Sequence, residues 1–209
     1  LTLTWQASAA GEKVEVLQTK LDYPWSLAFL PEDKGMLITL RGGQLRHWQA
    51  GKGLSDPISG VPTVWANGQG GLLDVVLAPD FAQSRKVWLS FSEADADGNA
   101  GTAAGVGRLS DDLSRLEDFK VMFRQQPKLS TGNHFGGRMV FDGKGYLYIA
   151  LGENNQRPTA QELDKLQGKL VRLTEAGGIP DDNPYVGKAN HRPEIWSYGI
   201  RNPQGMAMN

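Results

Sequence analysis

The sequence predicts an all-β protein, and the spacing of its apolar residues is the main reason. Helical periodicity is scarce in the 209 residues, whereas short alternating or continuous apolar runs occur throughout, bounded by Gly, Pro, Asn and Asp. The hydrophobic content of 40%, with six Trp, seven Phe and five Tyr, is sufficient for a packed core. A hairpin pattern also recurs along the chain. Together these features indicate a globular domain built from short strands.

The recurring unit is an apolar strand, a turn containing Pro or Asp, and a second strand rich in aromatic or branched residues. It occurs at 26–40, 74–92 and 138–152, and a fourth copy is predicted to begin at 205–209. The spacing of roughly 50 to 65 residues slightly exceeds that of a four-stranded blade, so we predict a β-propeller with long loops. Residues 11–209 are then a single partial propeller domain of about half a ring.

One helix is predicted, at 159–167. Thr159 would be its N-cap, Leu163 and Leu166 would lie on one face, and Gly168 would end it. We expect this helix to lie in a loop between strands.

Charge and composition narrow the classes of partner. The chain has 22 Lys and Arg against 23 Asp and Glu, so there is no electrostatic reason to expect binding to nucleic acid or to an anionic membrane. No apolar run approaches the roughly 18 residues of a membrane span. The absence of Cys excludes disulfides and thiol chemistry. A small-molecule partner is therefore expected.

The two ends of the sequence resemble cut ends. Residues 1–10 read like the tail of a secretory signal, with Ala7-Ser8-Ala9 as a cleavage pattern, although an ordinary N-terminal strand is the alternative. The last residues, NPQGMAMN, stop within an apolar alternation. We therefore expect a signal-peptide remnant at the start and truncation at the end.

Two local patterns resemble ligand loops but lack the required residues. Counted from Asp95, Gly98 is fourth and Val106 twelfth, whereas an EF-hand needs Gly at position six and Glu at twelve. Segment 92–101 is therefore predicted to be a solvated hairpin tip. Three glycine pairs precede neither a Lys-Ser/Thr pair nor a helix, and we interpret them as turns or close backbone approaches: Gly42-Gly43, Gly70-Gly71 and Gly136-Gly137.

His134 is the candidate catalytic base among the three histidines. The hairpin that follows it ends in Glu153, so the returning strand can bring a carboxylate towards the imidazole. A carboxylate on one ring nitrogen fixes the tautomer and leaves the other nitrogen as a base. The alternative is a loop histidine without a catalytic role. His47 and His191 have no activating neighbour in sequence and are predicted to be surface residues.

Two further polar clusters precede a strand, as His134 does. One contains Gln69, and the other contains Arg201, Asn202 and Gln204. Equivalent loops of successive blades converge at one end of a propeller axis, so the three clusters are predicted to line one central pocket. The alternative is that they are turns without a shared ligand.

Five ordered segments carry a resemblance to a known family: PWSLAFLP, GQGGLLDVVLAPDF, STGNHFGGRMVFDGKGYLYIALGENNQ, GKLVRLTEAGGIPDDNP and WSYGIRNPQGMAMN. From about residue 13 to the end, the chain resembles the soluble aldose sugar dehydrogenases of Gram-negative bacteria, in the glucose/sorbosone dehydrogenase family. This resemblance implies a six-bladed β-propeller, of which the chain holds roughly the first half. It also implies pyrroloquinoline quinone and calcium as cofactors, a periplasmic location and an external electron acceptor.

The resemblance further implies a reaction and roles for individual residues. Aldoses would be oxidised to lactones by hydride transfer to the quinone, with a histidine as general base. His134 resembles that base, and Glu153 occupies the place of the acidic residue that orients it. Gln69 resembles a polar residue near quinone and substrate, while Arg201 and Asn202 match the pair that contacts the cofactor.

Other expected parts are assigned less fully. Gln156 is a candidate for sugar contact. The calcium ligands are expected beyond Asn209, so no metal ligand is assigned in this chain. One alternative function is a non-catalytic propeller that binds sugar or protein through the same axial loops. Another is a metal-dependent lactonase, whose site needs several inward carboxylates or asparagines, whereas the matched loops offer only Glu153 and Asn202.

Overall fold

The computed structural model describes residues 13–208, and these residues form twelve β-strands, one short α-helix and one 3₁₀ helix. The predicted signal-peptide remnant at 1–10 lies outside the described residues. The first sheet contains β1 (Pro24–Phe29), β2 (Met36–Leu40), β3 (Gln44–Gln49) and β4 (Gly53–Leu54). The second contains β5 (Leu72–Leu77), β6 (Lys86–Ala94), β7 (Ala100–Leu109) and β8 (Leu116–Arg124), with α1 (Phe81–Ser84) between β5 and β6. The third contains β9 (Gly136–Phe141), β10 (Tyr146–Leu151), β11 (Lys169–Thr174) and β12 (Ile195–Tyr198), with the 3₁₀ helix (Arg157–Gln161) between β10 and β11.

Each sheet is an antiparallel meander of four strands in chain order. The all-β prediction is confirmed, and the three predicted hairpins correspond to β1–β2, β5–β6 and β9–β10. The predicted fourth copy is not seen as a strand, because residues 205–208 carry no strand assignment. A new strand needs a hydrogen-bonded neighbour, and no described residue pairs with this segment.

The sheets pack face to face through two apolar layers. Strand β5 contacts β1 and β2 on one side and β9 on the other, so the first strands of the three sheets are neighbours. Burying each such aliphatic side chain contributes about 1.5 to 3 kcal/mol, which makes this packing the main cohesive force between sheets. The layer between the first two sheets includes Leu37, Leu45, Leu72, Val75 and Leu89, and the next layer includes Trp88, Met139, Leu147, Ile149 and Val171.

The predicted helix at 159–167 is wrong in type and extent. The chain forms only the 3₁₀ helix, and Glu162 is already extended, with φ −87° and ψ 117°. The buried side chain of Lys169 explains the difference, because its ammonium donates hydrogen bonds to the carbonyls of Thr159 and Ala160 at 2.9 and 3.1 Å. The carbonyl of Thr159 also accepts from the Glu162 N–H, which closes the last 3₁₀ turn, and that of Ala160 accepts from the Gly199 N–H, so neither takes part in a continuing α-helix.

The hairpin tip in segment 92–101 has the form that the sequence predicts. The loop between β6 and β7 is closed by Asp95, whose Oδ1 accepts hydrogen bonds from the backbone N–H groups of Asp97 and Asn99 at 3.0 and 2.9 Å. An aspartate bonded to its own following backbone is a turn device, so this segment needs no bound ion to keep its shape.

One glycine pair shows the close approach that was predicted for these positions. Gly71 has φ +146°, and a Cβ atom there would lie 2.0 Å from the carbonyl oxygen of Arg41. Only glycine allows this contact between the loop before β5 and the end of β2. In the described part of the chain, no helix is long and apolar enough to cross a membrane.

Candidate active site

His134 lies in the loop that leads into β9, and its backbone is held in an unusual conformation. Its φ is +53°, a left-handed value that non-glycine residues adopt only with support from their surroundings. Its backbone N–H donates to Gln69 Oε1 at 2.9 Å. Its carbonyl accepts from the backbone N–H and the side-chain Nδ2 of Asn154, at 3.2 and 3.3 Å. The loop before β5 and the loop after β10 therefore orient this histidine.

Glycines at the ends of β9 and β10 allow these segments to approach closely. A Cβ atom at Gly152 would lie 1.6 Å from the carbonyl oxygen of His134. At Gly136, where φ is +65°, a Cβ atom would lie 2.6 Å from the carbonyl oxygen of Ala150. Any larger residue at Gly152 would displace the histidine segment.

His134 and Glu153 form a hydrogen-bonded pair. Nδ1 of His134 lies 2.8 Å from Oε1 of Glu153, whose side chain is only 1% exposed. Because a carboxylate can only accept, the neutral imidazole carries its proton on Nδ1 and keeps a lone pair on Nε2. The structure shows no hydrogen bond of Nε2 to another described residue. The imidazole can thus accept a proton on the side away from Glu153.

Arg201 and Asn202 follow β12 and lie beside this pair. The backbone N–H of Glu153 donates to the carbonyl of Arg201 at 2.9 Å, and Nε of Arg201 lies 3.7 Å from Glu153 Oε1. The Arg201 side chain is 60% exposed. Asn202 Oδ1 accepts from the backbone N–H of Gly136 at 3.2 Å and from Gln204 Nε2 at 2.8 Å. A guanidinium and an amide are therefore placed next to the imidazole.

Gln69 reaches the same place from the second sheet. Its side chain is exposed, and its backbone N–H donates to the carbonyl of Gly132 at 2.7 Å. A Cβ atom at the neighbouring Gly68 would lie 2.2 Å from that same carbonyl oxygen, so the two loops are interlocked. The three polar clusters of the sequence thus meet around His134.

Other candidates lie further from this group of side chains. Gln156 is exposed, its backbone N–H donates to the carbonyl of Glu153 at 2.9 Å, and its side chain forms no hydrogen bond to a described residue. The two remaining histidines make local contacts while staying partly exposed. His47 Nε2 lies 2.6 Å from the carbonyl oxygen of Lys34, and His191 stacks on Tyr185 with ring centroids 5.4 Å apart.

Asn154 is a site residue that the sequence analysis missed. It is fully buried with φ +54°, and besides holding the His134 carbonyl it accepts a hydrogen bond from Thr131 Oγ1 at its own carbonyl, at 2.9 Å. Asparagine is enriched several-fold in left-handed conformations, so the Asn-Asn pair after a strand-ending Gly-Glu is a signal for such a turn.

Two cavities differ in their relation to these residues. A cleft of about 260 Å³ borders Glu153 and Arg201 and is also lined by Arg157 and Gln161. A larger cavity of about 660 Å³ lies against β1 and β2, contains none of the residues around His134 and has a mainly apolar lining. The smaller cleft therefore borders the site through Glu153 and Arg201, whereas His134, Gln69 and Asn202 do not line it. Within residues 13–208, no group of three or more His, Cys, Asp or Glu side chains could hold a metal ion.

Comparison with known proteins gives a consistent result. The family model for glucose/sorbosone dehydrogenase matches residues 21–209. Aldose sugar dehydrogenase YliI of Escherichia coli K12 is 77% identical over 203 residues, which are 97% of this chain and 55% of that protein.

Solved structures agree in fold. The apo form of the soluble aldose sugar dehydrogenase from E. coli has a TM-score of 0.92 at 79% identity, covering 93% of this chain and 56% of that one. The aldose sugar dehydrogenase of Streptomyces coelicolor, solved with pyrroloquinoline quinone bound, has a TM-score of 0.78 at 28% identity, covering 91% and 55%. The chain spans about half the length of these relatives.

Proposed function

The chain belongs to the glucose/sorbosone dehydrogenase family, and from this premise we propose that the full-length protein is a quinoprotein dehydrogenase that oxidises aldose sugars to lactones. The observation that carries the proposal is the 2.8 Å bond between His134 Nδ1 and the buried carboxylate of Glu153. The relative solved with pyrroloquinoline quinone bound supports that quinone as the cofactor.

His134 is the general base of the proposed reaction. Its Nε2 accepts the proton of the anomeric hydroxyl group, and the carboxylate of Glu153 stabilises the imidazolium that forms. Since Glu153 is buried and Asn154 holds the His134 carbonyl, the ring keeps its orientation without help from substrate. When bound, pyrroloquinoline quinone would supply the hydride acceptor.

The exposed donors around His134 fit a polycarboxylate quinone. Arg201 has an exposed guanidinium whose only ionic contact among the described residues is the 3.7 Å approach to Glu153. A guanidinium binds carboxylates through two parallel donors, so Arg201 and Asn202 would hold the cofactor. Gln69 would contact quinone and sugar, and Gln156 would contact sugar.

We include calcium as a second cofactor on the family resemblance, and no ligand for it is assigned among residues 13–208, which contain no group of three or more His, Cys, Asp or Glu able to hold a metal ion. No step of the proposed reaction is assigned to it here. The proposal includes an external electron acceptor and a periplasmic location, both of which rest on the family resemblance.

The proposal extends to the architecture. The three sheets would be three blades of a six-bladed propeller, with β1, β5 and β9 nearest the axis. Contacts of β5 with both β1 and β9 support this arrangement. So does the position of the Gln69 and His134 loops, each of which leads into the first strand of a sheet.

The experiment is aldose-dependent dye reduction by full-length protein reconstituted with pyrroloquinoline quinone and calcium. His134→Gln should lower the rate by about 10² or more, the scale of a lost general base. His47→Gln is the matched control, because the only hydrogen bond of the His47 imidazole in the described structure is to the Lys34 carbonyl, in the turn before β2. If no aldose supports dye reduction by the parent protein, the proposed function is contradicted. A parental rate in His134→Gln would contradict the role of His134 as general base.

A further inference from the structure

A buried carboxylate joins the first strands of all three sheets. Asp74 on β5 is 1% exposed, and its Oδ1 accepts hydrogen bonds from Ser26 Oγ on β1 at 2.6 Å and from the Val75 backbone at 2.9 Å. The same oxygen accepts from Arg138 Nη1 on β9 at 2.9 Å. Oδ2 accepts from the backbone N–H of Met139 at 2.7 Å. Oδ1 therefore accepts three hydrogen bonds and Oδ2 accepts one.

Arg138 extends this network towards the candidate site. Its Nη1 also donates to Ser26 Oγ at 2.9 Å, and its Nε and Nη2 both donate to the carbonyl of Gln204, at 3.2 and 3.1 Å. The guanidinium lies over the Trp25 ring, 4.4 Å from its centroid. One planar fork thus links Asp74 to the segment that carries Arg201 and Asn202.

Few bonds hold that segment in place. Residues 201–208 join no strand ladder among the described residues. Besides Arg138, the backbone N–H groups of Glu153 and Gly136 each provide one neutral hydrogen bond to it. The two bonds from Arg138 to Gln204 are charge-assisted, and such bonds are roughly twice as strong as neutral ones.

We propose that Arg138 is a positioning residue, which ties the segment carrying Arg201 and Asn202 to the buried Asp74 and so holds these two residues beside His134. The consequence for catalysis rests on the proposed function, in which that segment binds the quinone. Arg138 makes no hydrogen bond to His134 in the described structure, so it acts through the segment and not on the reacting atoms.

The chain offers a matched control for a general loss of structure. Arg172, on β11 of the same sheet, is buried, whereas Arg138 is partly exposed; Arg172 pairs with Asp182 and lies over the Trp196 ring at 4.2 Å. Arg138→Lys and Arg172→Lys both keep the positive charge and remove the planar fork. Only Arg138→Lys removes bonds to Gln204.

The first measurement is hydrogen–deuterium exchange of peptides covering 199–208 in full-length protein with nothing added. Arg138→Lys should exchange faster than the parent there, and Arg172→Lys should exchange at the parental rate. Parental exchange in Arg138→Lys would overturn the proposal. This result does not depend on whether the protein binds a quinone.

The second measurement is a titration of apo-protein with pyrroloquinoline quinone. Arg138→Lys should raise the dissociation constant about tenfold, as expected for loss of bonds to a charged donor, while kcat at saturating quinone falls less than about threefold. Equal dissociation constants for Arg138→Lys and Arg172→Lys would show that Arg138 has only a general structural role, which would overturn the proposal. A parent that binds no quinone would refute the proposed function, and the exchange experiment would still decide the role of Arg138.

Ser26→Ala provides the test if Arg138→Lys does not fold. It removes the hydroxyl that bonds both Asp74 and Arg138 while leaving their charges in place. Exchange at 199–208 should be faster in Ser26→Ala than in the parent. No change in exchange would overturn the proposal.

Discussion

His134 is held at its backbone as well as at its ring. Gln69 and Asn154 fix the left-handed backbone, and Glu153 fixes the imidazole. At the scale of single residues, the site therefore depends on side chains that hold the base in place. Truncating such a residue should displace the His134 imidazole, although the imidazole itself remains present as a base.

We expect Glu153→Gln to be milder than His134→Gln. The amide oxygen can still accept from Nδ1, but it no longer stabilises imidazolium, so the rate of substrate-driven reduction should fall by roughly tenfold to a hundredfold. Glu162→Gln is the control, since Glu162 pairs with Lys165 at the surface. Stopped-flow reduction across pH checks the pair: a pH–rate profile identical to that of the parent would argue against it.

Arg201→Ala should weaken quinone binding at least about tenfold, because each bond between a guanidinium and a carboxylate contributes roughly 1.5 to 3 kcal/mol. Fluorescence titration of apo-protein measures the dissociation constant. Arg157→Ala is the matched control, because Arg157 lines the same cleft and carries the same charge. Equal effects in both variants would indicate a general electrostatic field instead of a specific contact.

At the scale of the elements, the ends of β9 and β10 form the support of the site. Their close approach depends on Gly152. Glu153, the next residue in the loop after β10, is thereby placed beside His134. The loop continues into the 3₁₀ helix, whose carbonyls are held by Lys169. The site therefore depends on the packing of this strand end and its loop.

Gly152→Ala should lower both activity and stability, because its Cβ would overlap the His134 carbonyl oxygen at 1.6 Å. The expected loss in the free energy of unfolding is about 1 to 3 kcal/mol, as for forced overpacking. Gly42→Ala is the control, since a Cβ atom there meets nothing within 4 Å. Denaturant unfolding and dye reduction check the two effects; a Gly152→Ala protein with parental values would show that the strand end can relax.

Lys169 provides a prediction on pH. Burial lowers the pKa of its ammonium from 10.5 to about 8. Between pH 8 and 10.5 the unfolded chain then binds more protons than the folded one, so this group makes stability rise with pH, by at most about 1.4 kcal/mol per unit. Below pH 8 it contributes no pH dependence, because both states are protonated.

The measurement is the free energy of unfolding of parent and Lys169→Met between pH 7 and 10. The difference between the two proteins isolates Lys169 from other titrating groups. Lys169→Met also removes one hydrogen-bond donor from each of three carbonyls, those of Thr159, Ala160 and Gln167. A difference that stays constant across pH would contradict the lowered pKa.

At the scale of the whole molecule, apolar side chains remain exposed at both ends of the row of sheets. Val14 is 87% and Phe29 72% exposed beside the first sheet. Trp196 and Tyr198 are exposed on the last strand of the third sheet. Exposed apolar side chains of this kind favour association.

We therefore expect residues 1–209, expressed alone, to self-associate and to bind pyrroloquinoline quinone more weakly than the full-length protein. Gel filtration and fluorescence titration of both proteins, side by side, provide the test. Phe29→Ser should reduce association of the fragment without affecting quinone binding by the full-length protein. A monomeric fragment with full affinity would contradict the partial-propeller interpretation.

Local signals account for what the sequence alone determined. The all-β class and the three hairpins follow from alternation of apolar residues and from turn residues, which are properties of neighbours in the chain. The pairing of His134 with Glu153 could also be anticipated, because the two residues are only 19 positions apart and flank one hairpin.

Only the tertiary structure decided the contacts that join distant segments. The hydrogen bonds that His134 donates to Gln69 and Arg138 donates to Asp74 span 65 and 64 positions, and no local pattern encodes them. The helix predicted at 159–167 does not form, and the reason is again a contact between separate segments. A buried lysine on the next strand, Lys169, binds the carbonyls of Thr159 and Ala160. Propensity and periodicity describe a segment by itself, whereas burial makes each polar group take whichever partner the packed sheets bring near.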